Sequence, residues 1–331
     1  YPRFDQAVNA DQRPSTRFAG RICGPSRGTP VMRDRTAGST IMPAMETPTP
    51  MQFRGRPVVP GAGPFIFAVL NVTPDSFSDG GRYLDPAAAI EAGCRLAAEG
   101  ADVIDVGGES TRPGSEGVPP DEQIRRVEPV IRELAQRFGD GGPAISIDTR
   151  SAAVAEAALA AGATIVNDIS ALTFDPEMGR TVARRKAGVV LMHMKGTPAN
   201  MQDNPQYADL MGEIRSYLAE RMAAAAADGI ARERIIIDPG IGFGKTADHN
   251  LTLLRRAGEF RELGVPVLVG PSRKRFIAAV TGATEIADRL PGTIAAVCAC
   301  VLAGVECVRV HDVAACRRAA DLAAAIRRCH G

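Results

Sequence analysis

The chain predicts a single (β/α)8 barrel of the TIM type, an α/β fold, preceded by an N-terminal extension with no fold of its own. Three observations predict it. From Phe65 onward, short apolar runs alternate with longer Ala-rich segments at helical period, which is how a parallel sheet with crossover helices reads. The alternation repeats eight times within 65–331, close to the roughly 250 residues over which such barrels close. Polar residues gather just after the apolar runs, where the strand-to-helix loops of a barrel carry function.

Taken in order, the first run, 65–70, is followed by Asn71 and a helix expected over 86–99. The second, 103–106, leads to Glu109-Ser110-Thr111-Arg112-Pro113-Gly114 and a helix over 120–137. The third, 144–147, ends on Asp148 before a helix over 151–161, and the fourth, 164–166, on Asn167-Asp168 before one over 176–186. The fifth, 189–192, closes with Met192-His193 and feeds a helix over 205–227; the sixth, 235–237, meets Asp238-Pro239-Gly240 and a helix over 248–263. The seventh, 267–269, precedes Gly270-Pro271-Ser272-Arg273-Lys274 and a helix over 287–303. In the eighth, 307–310, Arg309 and His311 bracket the strand end before a last helix over 313–328. Hydrophobic runs alone do not show closure, so a doubly wound open sheet is the alternative, weakened because no G-x-G-x-x-G follows the first strand.

Residues 1–55 are rich in Pro, Gly, Arg, Ser and Thr without apolar period and are expected to be a disordered or non-native extension, with the barrel domain at 60–331. Met45 and Met51 are candidate natural starts, and Asp5, Asp11 and Asp34 argue against an organellar transit peptide. With 39 basic against 38 acidic residues, a net charge of +1 creates no field for nucleic acid or an anionic membrane. Seven cysteines without a C-x-x-C pair suit reduced thiols, and no apolar run reaches the roughly 18 residues of a membrane span. A cytoplasmic location is expected.

The strand-end residues divide by chemistry. Asp148, Asn167 and Asp238 offer acceptors and a donor matched to the N–H edge of a flat heterocycle, whereas Arg112, Lys274, Arg309 and His311 form a cationic set suited to phosphate or pyrophosphate. Arg309 stands out. It lies inside an enclosed strand, where an unpaired guanidinium costs several kcal/mol, so it requires an anionic partner, either a protein carboxylate or a ligand. The bland reading of Asp148 is a helix cap, for which Ser151 is better placed; Asp312 is a ready N-cap for the last helix. Gly242-Phe243-Gly244-Lys245-Thr246 ends like a phosphate-binding loop, but Pro239 stands where that motif needs glycine. The four histidines are scattered, so any metal is expected to be Mg²⁺ held partly by substrate phosphates.

Five segments, 71–81, 109–114, 238–245, 272–274 and 309–312, each at an expected strand end and in the right order, resemble the dihydropteroate synthase family. The likeness runs from about 65 to the end of the chain. It implies the step that joins 6-hydroxymethyl-7,8-dihydropterin diphosphate to p-aminobenzoate with release of pyrophosphate, in the enzyme targeted by sulfonamides. Position by position, it implies that Asp148, Asn167, Asp238 and Lys274 hold the pterin, with Met192 packed on the ring. Asn71 would bind Mg²⁺ and, with Thr111, Arg112, Arg309 and His311, the diphosphate. Phe77, Pro113, Phe243 and Ser272 would surround p-aminobenzoate, under two closing loops at 71–81 and 109–118. Asp79 would stabilise positive charge on the reacting methylene, completing a catalytic set with Arg112, Lys274, Arg309 and His311. The resemblance further implies a homodimer. A pterin-binding methyltransferase or an inactive pterin-binding barrel is the alternative; the first would have no use for the diphosphate set, and the second predicts erosion of the mobile loops, whereas 71–81 is complete.

Overall fold

Each expected strand is present and in the expected order in the computed structural model, which describes residues 50–73, 85–109 and 117–329. These fall in one compact unit, Thr47–Gly331; a second unit, Tyr1–Glu46, lies outside the described residues. An antiparallel hairpin, β1 (Gln52–Phe53) and β2 (Arg56–Pro57), comes first. Eight parallel strands follow: β3 (Phe65–Asn71), β4 (Val103–Gly107), β5 (Ala144–Asp148), β6 (Ile165–Asp168), β7 (Gly188–Met192), β8 (Ile235–Asp238), β9 (Leu268–Val269) and β10 (Cys307–Val310). Helices α1 (Pro86–Ala98), α2 (Pro120–Phe138), α3 (Ala152–Ala161), α4 (Met178–Arg184), α5 (Leu210–Ala227) and α6 (Ala247–Arg256) fill the first six crossovers. After β9 come α7 (Arg275–Thr281) and α8 (Leu290–Leu302), and α9 (Val313–Arg328) ends the described chain.

Neighbouring strands are consecutive in sequence from β3 to β8, and β10 pairs with both β3 and β9. A bridge between Ile237 and Val267, in which the Ile237 N–H donates to the Pro266 carbonyl at 3.0 Å, closes the ring and excludes the doubly wound order. Strand residues alternate between two cores. Ile66, Ala68, Leu70, Ile104, Val106, Ile145 and Ile147 pack outward among the helices. Phe65, Phe67, Val103, Ile165, Val190, Ile236, Leu268 and Cys307 pack inward at the lower end of the barrel.

The hairpin seals that lower end. Met51, Phe53 and Val58 join the inner core, and the Phe53 ring meets Phe65 and Phe67 edge-on at centroid distances of 5.4 and 5.6 Å. Above Phe65 lies the Arg56 guanidinium, 4.4 Å from the ring centre, which also pairs with buried Asp102 at 2.7 Å. Strand β1 therefore lies inside the stretch to residue 55 that composition assigns to the extension, because two-residue strands are too short to show a period.

Helix ends differ from expectation as well. The helix expected over 205–227 begins only at Leu210, after Asp209 accepts the Gly212 N–H at 3.1 Å, and that over 248–263 turns into a 3-10 segment at Ala257–Leu263. The short α7 has no counterpart among the expected helices. Ser151 occupies the N-cap of α3 without a side-chain cap bond; Asp175 instead accepts the Ala152 N–H at 2.8 Å. Asp312 likewise sits at the N-cap of α9, but its carboxylate turns to Arg273, at 2.6 and 3.0 Å.

Candidate active site

Four strands share one pattern on their inward faces. Val103, Ile165, Ile236 and Cys307 lie in the apolar floor, and two residues further along, Asp105, Asn167, Asp238 and Arg309 follow on the same face. The barrel thus carries a layer of charged and amide groups directly on a dry base. Asp148 and Met192 end β5 and β7, Asp148 paired with Gly107 and Asn167 and Met192 with Asp238.

A narrow cleft opens above this layer. Asp148, Asn167, Met192, Asp238, Lys274 and Arg309 line it, and so do His311, Ser272 and Phe243. Nine side chains expected from scattered positions in the sequence are therefore brought to one place. Val69, Ile169, Ile241 and Gly270 complete its wall. Asn71 ends β3 beside Gly107, which in turn pairs with Asp148, at the rim. Phe77, Asp79, Thr111, Arg112 and Pro113 lie outside the described residues.

The charges interleave rather than separate. Arg309 Nε donates to Asp105 Oδ2 at 2.6 Å and Nη2 to Asp148 Oδ2 at 2.7 Å, while Asn167 Nδ2 donates to the same Asp105 Oδ2 at 3.0 Å. The partner demanded by a strand-embedded arginine is thus a pair of carboxylates, and the expected division into an acidic and a cationic half is not a spatial one. Burial pushes the Asp148 carboxyl up to about 7 despite Arg309 beside it. Burial raises Asp238 to about 6, against the Gly240 N–H that donates to it at 2.7 Å and the nearby Lys274. Although burial opposes it, the two carboxylates hold the Arg309 guanidinium above its ordinary value, so it is a permanent cation.

Lys274 rests with Nζ 4.0 Å from the centre of the Phe243 ring, and burial lowers its ammonium to about 8 against the pull of Asp238. Burial, with Arg309 next in weight, drops His311 to about 3, so its ring is neutral. The Ser272 Oγ accepts the His311 backbone N–H at 3.2 Å and lies 3.0 Å from Nδ1. Either the hydroxyl donates to Nδ1 or Nδ1–H donates to Oγ, according to the tautomer of the neutral ring.

Two residues escape sequence reasoning. Asp105 is fully buried within an apolar run, not after one, although its two-residue spacing from Val103 marks it as inward. Lys245 belongs to the motif that fails as a phosphate loop. Its buried ammonium, lowered by burial to about 7, lies 3.0 Å from His193 Nδ1 and donates to the Phe243 carbonyl at 2.8 Å. It thereby staples the loop after β8 to the end of β7. That loop turns at Gly240, where φ is +72° and a Cβ would stand 1.9 Å from the His193 carbonyl oxygen, so only glycine fits. Among the described residues no group of three or more His, Cys, Asp or Glu is arranged to hold a metal ion, and no helix is long and apolar enough to cross a membrane.

A barrel with a buried carboxylate, amide and guanidinium layer below a cleft matches known proteins closely. The sequence profile described as pterin binding enzyme covers residues 67–311, and the chain belongs to that family. A dihydropteroate synthase of Synechocystis sp. is 44% identical over 268 residues, 81% of this chain and 92% of that protein. The structure of Xanthomonas albilineans dihydropteroate synthase with 4-aminobenzoic acid superposes with a TM-score of 0.77 at 43% identity, covering 86% of this chain and 100% of that one. The same enzyme in complex with 7,8-dihydropteroate gives a TM-score of 0.72 at 41% identity, over 82% of this chain and 96% of that one. Within its family the chain stands among the dihydropteroate synthases, which are transferases.

Proposed function

We propose that this cleft condenses 6-hydroxymethyl-7,8-dihydropterin diphosphate with p-aminobenzoate, giving 7,8-dihydropteroate and pyrophosphate. One observation carries the reading. Three buried polar side chains from separate strands, Asp148, Asn167 and Asp238, converge on one cleft with the Arg309 cation and the Lys274 ammonium. Adjacent N–H donors on the edge of a pterin suit the second oxygens of Asp148 and Asp238, Arg309 holding one oxygen of the first and the Gly240 N–H one of the second, and Met192 offers a soft apolar surface to the ring face.

In the reaction the methylene C–O bond breaks and its electron pair leaves with pyrophosphate. The amine nitrogen of p-aminobenzoate forms the new C–N bond and gives up one proton. No protein nucleophile enters, so catalysis is electrostatic: Arg309, His311 and Lys274 stabilise the departing charge, joined by Arg112 and Thr111. Asp79 balances the positive charge that develops on the methylene, and Phe77, Pro113, Phe243 and Ser272 enclose the aryl amine. Asn71, an amide at the rim, fits a Mg²⁺ held mainly by substrate phosphates, since among the described residues no group of three acidic, His or Cys side chains is arranged to hold a metal alone. When bound, that ion supplies charge neutralisation for the leaving pyrophosphate. The protein works as a cytoplasmic homodimer, open to sulfonamides at the p-aminobenzoate end. A coupled assay should record pyrophosphate release that requires Mg²⁺ and p-aminobenzoate together. Folded protein that releases none would end this reading.

A further inference from the structure

We propose that Asp105, which the reaction above does not use, is the positioning residue of the site, setting the Arg309 guanidinium and the Asn167 amide at once. The inference rests on the synthase reading. Asp105 is fully buried in the middle of β4 and is absent from the cleft wall, so whatever it does is done through its neighbours.

Those neighbours are specific. A single oxygen, Oδ2, accepts from both Arg309 Nε and Asn167 Nδ2, at 2.6 and 3.0 Å. A carboxylate anion can only accept, so the Asn167 amide is held one way round, with its nitrogen on Asp105 and its oxygen turned away. Arg309 is divided in the same manner. Nε is taken by Asp105 and Nη2 by Asp148, and among the described residues no acceptor pairs with Nη1. The guanidinium is thereby presented by a free edge instead of lying bidentate across Asp148. Without the pull of Asp105, Arg309 is free to close onto both oxygens of Asp148, which removes an acceptor from the heterocycle and the cation from the leaving group. Among the described residues the other Asp105 oxygen, Oδ1, is buried without a partner. A carboxylate retained for stability alone would use both oxygens; this one leaves one unpaired at a cost in stability while ordering two site residues.

The test uses full-length Asp105→Asn and Asp105→Glu, with Ser146→Ala, another buried polar neighbour on β5, as control. Pyrophosphate release gives kcat and both KM values, and calorimetry with 6-hydroxymethylpterin, which lacks the diphosphate, gives pterin affinity independently of turnover. Asp105→Asn should lower kcat by about 100-fold, the scale of a misplaced catalytic group. It should also weaken the pterin probe while leaving the KM for p-aminobenzoate unchanged. Asp105→Glu, which keeps the charge, should recover part of the loss, and Ser146→Ala should match wild type. In an Arg309→Lys background, Asp105→Asn should cost little more.

Folded Asp105→Asn with wild-type kcat and probe affinity would overturn the proposal, as would additive losses in the double variant or equal losses for Asn and Glu. So would a fall in activity that vanishes when rates are expressed per folded molecule. Wild-type protein that releases no pyrophosphate would count against the synthase reading alone, because probe binding still tests Asp105.

Discussion

Replacing Arg309 by methionine keeps a long side chain in the strand but deletes the cation that two carboxylates share. Asp105 is fully buried and Asp148 is 8% exposed, so neither recovers water to replace Arg309. Removing one partner of a buried pair costs about 3–5 kcal/mol. At roughly 2–4 °C per kcal/mol for a protein of this size, the loss in Tm should be about 10 °C. The pH dependence is the sharper test. Wild-type Asp148 binds its proton at about 7, raised by burial but held back by Arg309, and without Arg309 it binds it at a higher pH. Below about 7 Asp148 is neutral in both proteins and the penalty is smallest. As pH rises above that value, only the wild type stabilises the charged form, so the gap in stability widens. Calorimetric Tm values for both proteins at pH 6 and pH 9 measure the gap directly. A gap that is constant, or that narrows toward alkaline pH, would refute the claim that Arg309 holds Asp148 in its charged state.

The same geometry sets other outcomes. Phe53→Ala empties the seal against Phe65 and Phe67 and should cost about 3–5 kcal/mol in urea unfolding, with both KM values unchanged. The pH profile of kcat/KM should fall on the acid side as Asp148 and Asp238 take up protons near 7 and 6 and on the alkaline side as Lys274 loses its proton near 8; Lys274→Met should be slow and lack the alkaline limb. Lys245→Met cuts the bond to the Phe243 carbonyl and should raise the KM for p-aminobenzoate several-fold, with affinity for 6-hydroxymethylpterin close to wild type.

Much of this architecture is legible because the strands announce themselves twice, by apolar runs and by the polar residue at each end. Asp148, Asn167, Asp238, Lys274 and Arg309 stand out as the polar residues that end or interrupt those runs, and the fold brings them together. Asp105 does not, because its neighbours Ile104 and Val106 pack outward and make it look like a flaw in an apolar strand. Inward alternation from Val103 locates it, just as it places Arg309 two residues above Cys307. Caps are less legible. Ser151 and Asp312 stand at N-cap positions, yet Asp175 from the next loop bonds the start of α3 and Arg273 claims Asp312. Such choices depend on residues distant in sequence. The hairpin at 52–57 and the seven-residue α7 are shorter than the windows in which a period can be recognised.

The Phe53 seal makes the barrel a blind well, with one mouth for whatever enters or leaves. On the synthase reading a heterocycle held by Asp148, Asn167 and Asp238 would lie at the bottom, and an aryl amine beside Phe243 and Lys274 would lie above it. Occupants of such a well are stacked in the order of their arrival. On the synthase reading the pterin would go down first, since an arylamine already seated would block its way, and the joined product would withdraw with its aryl end leading.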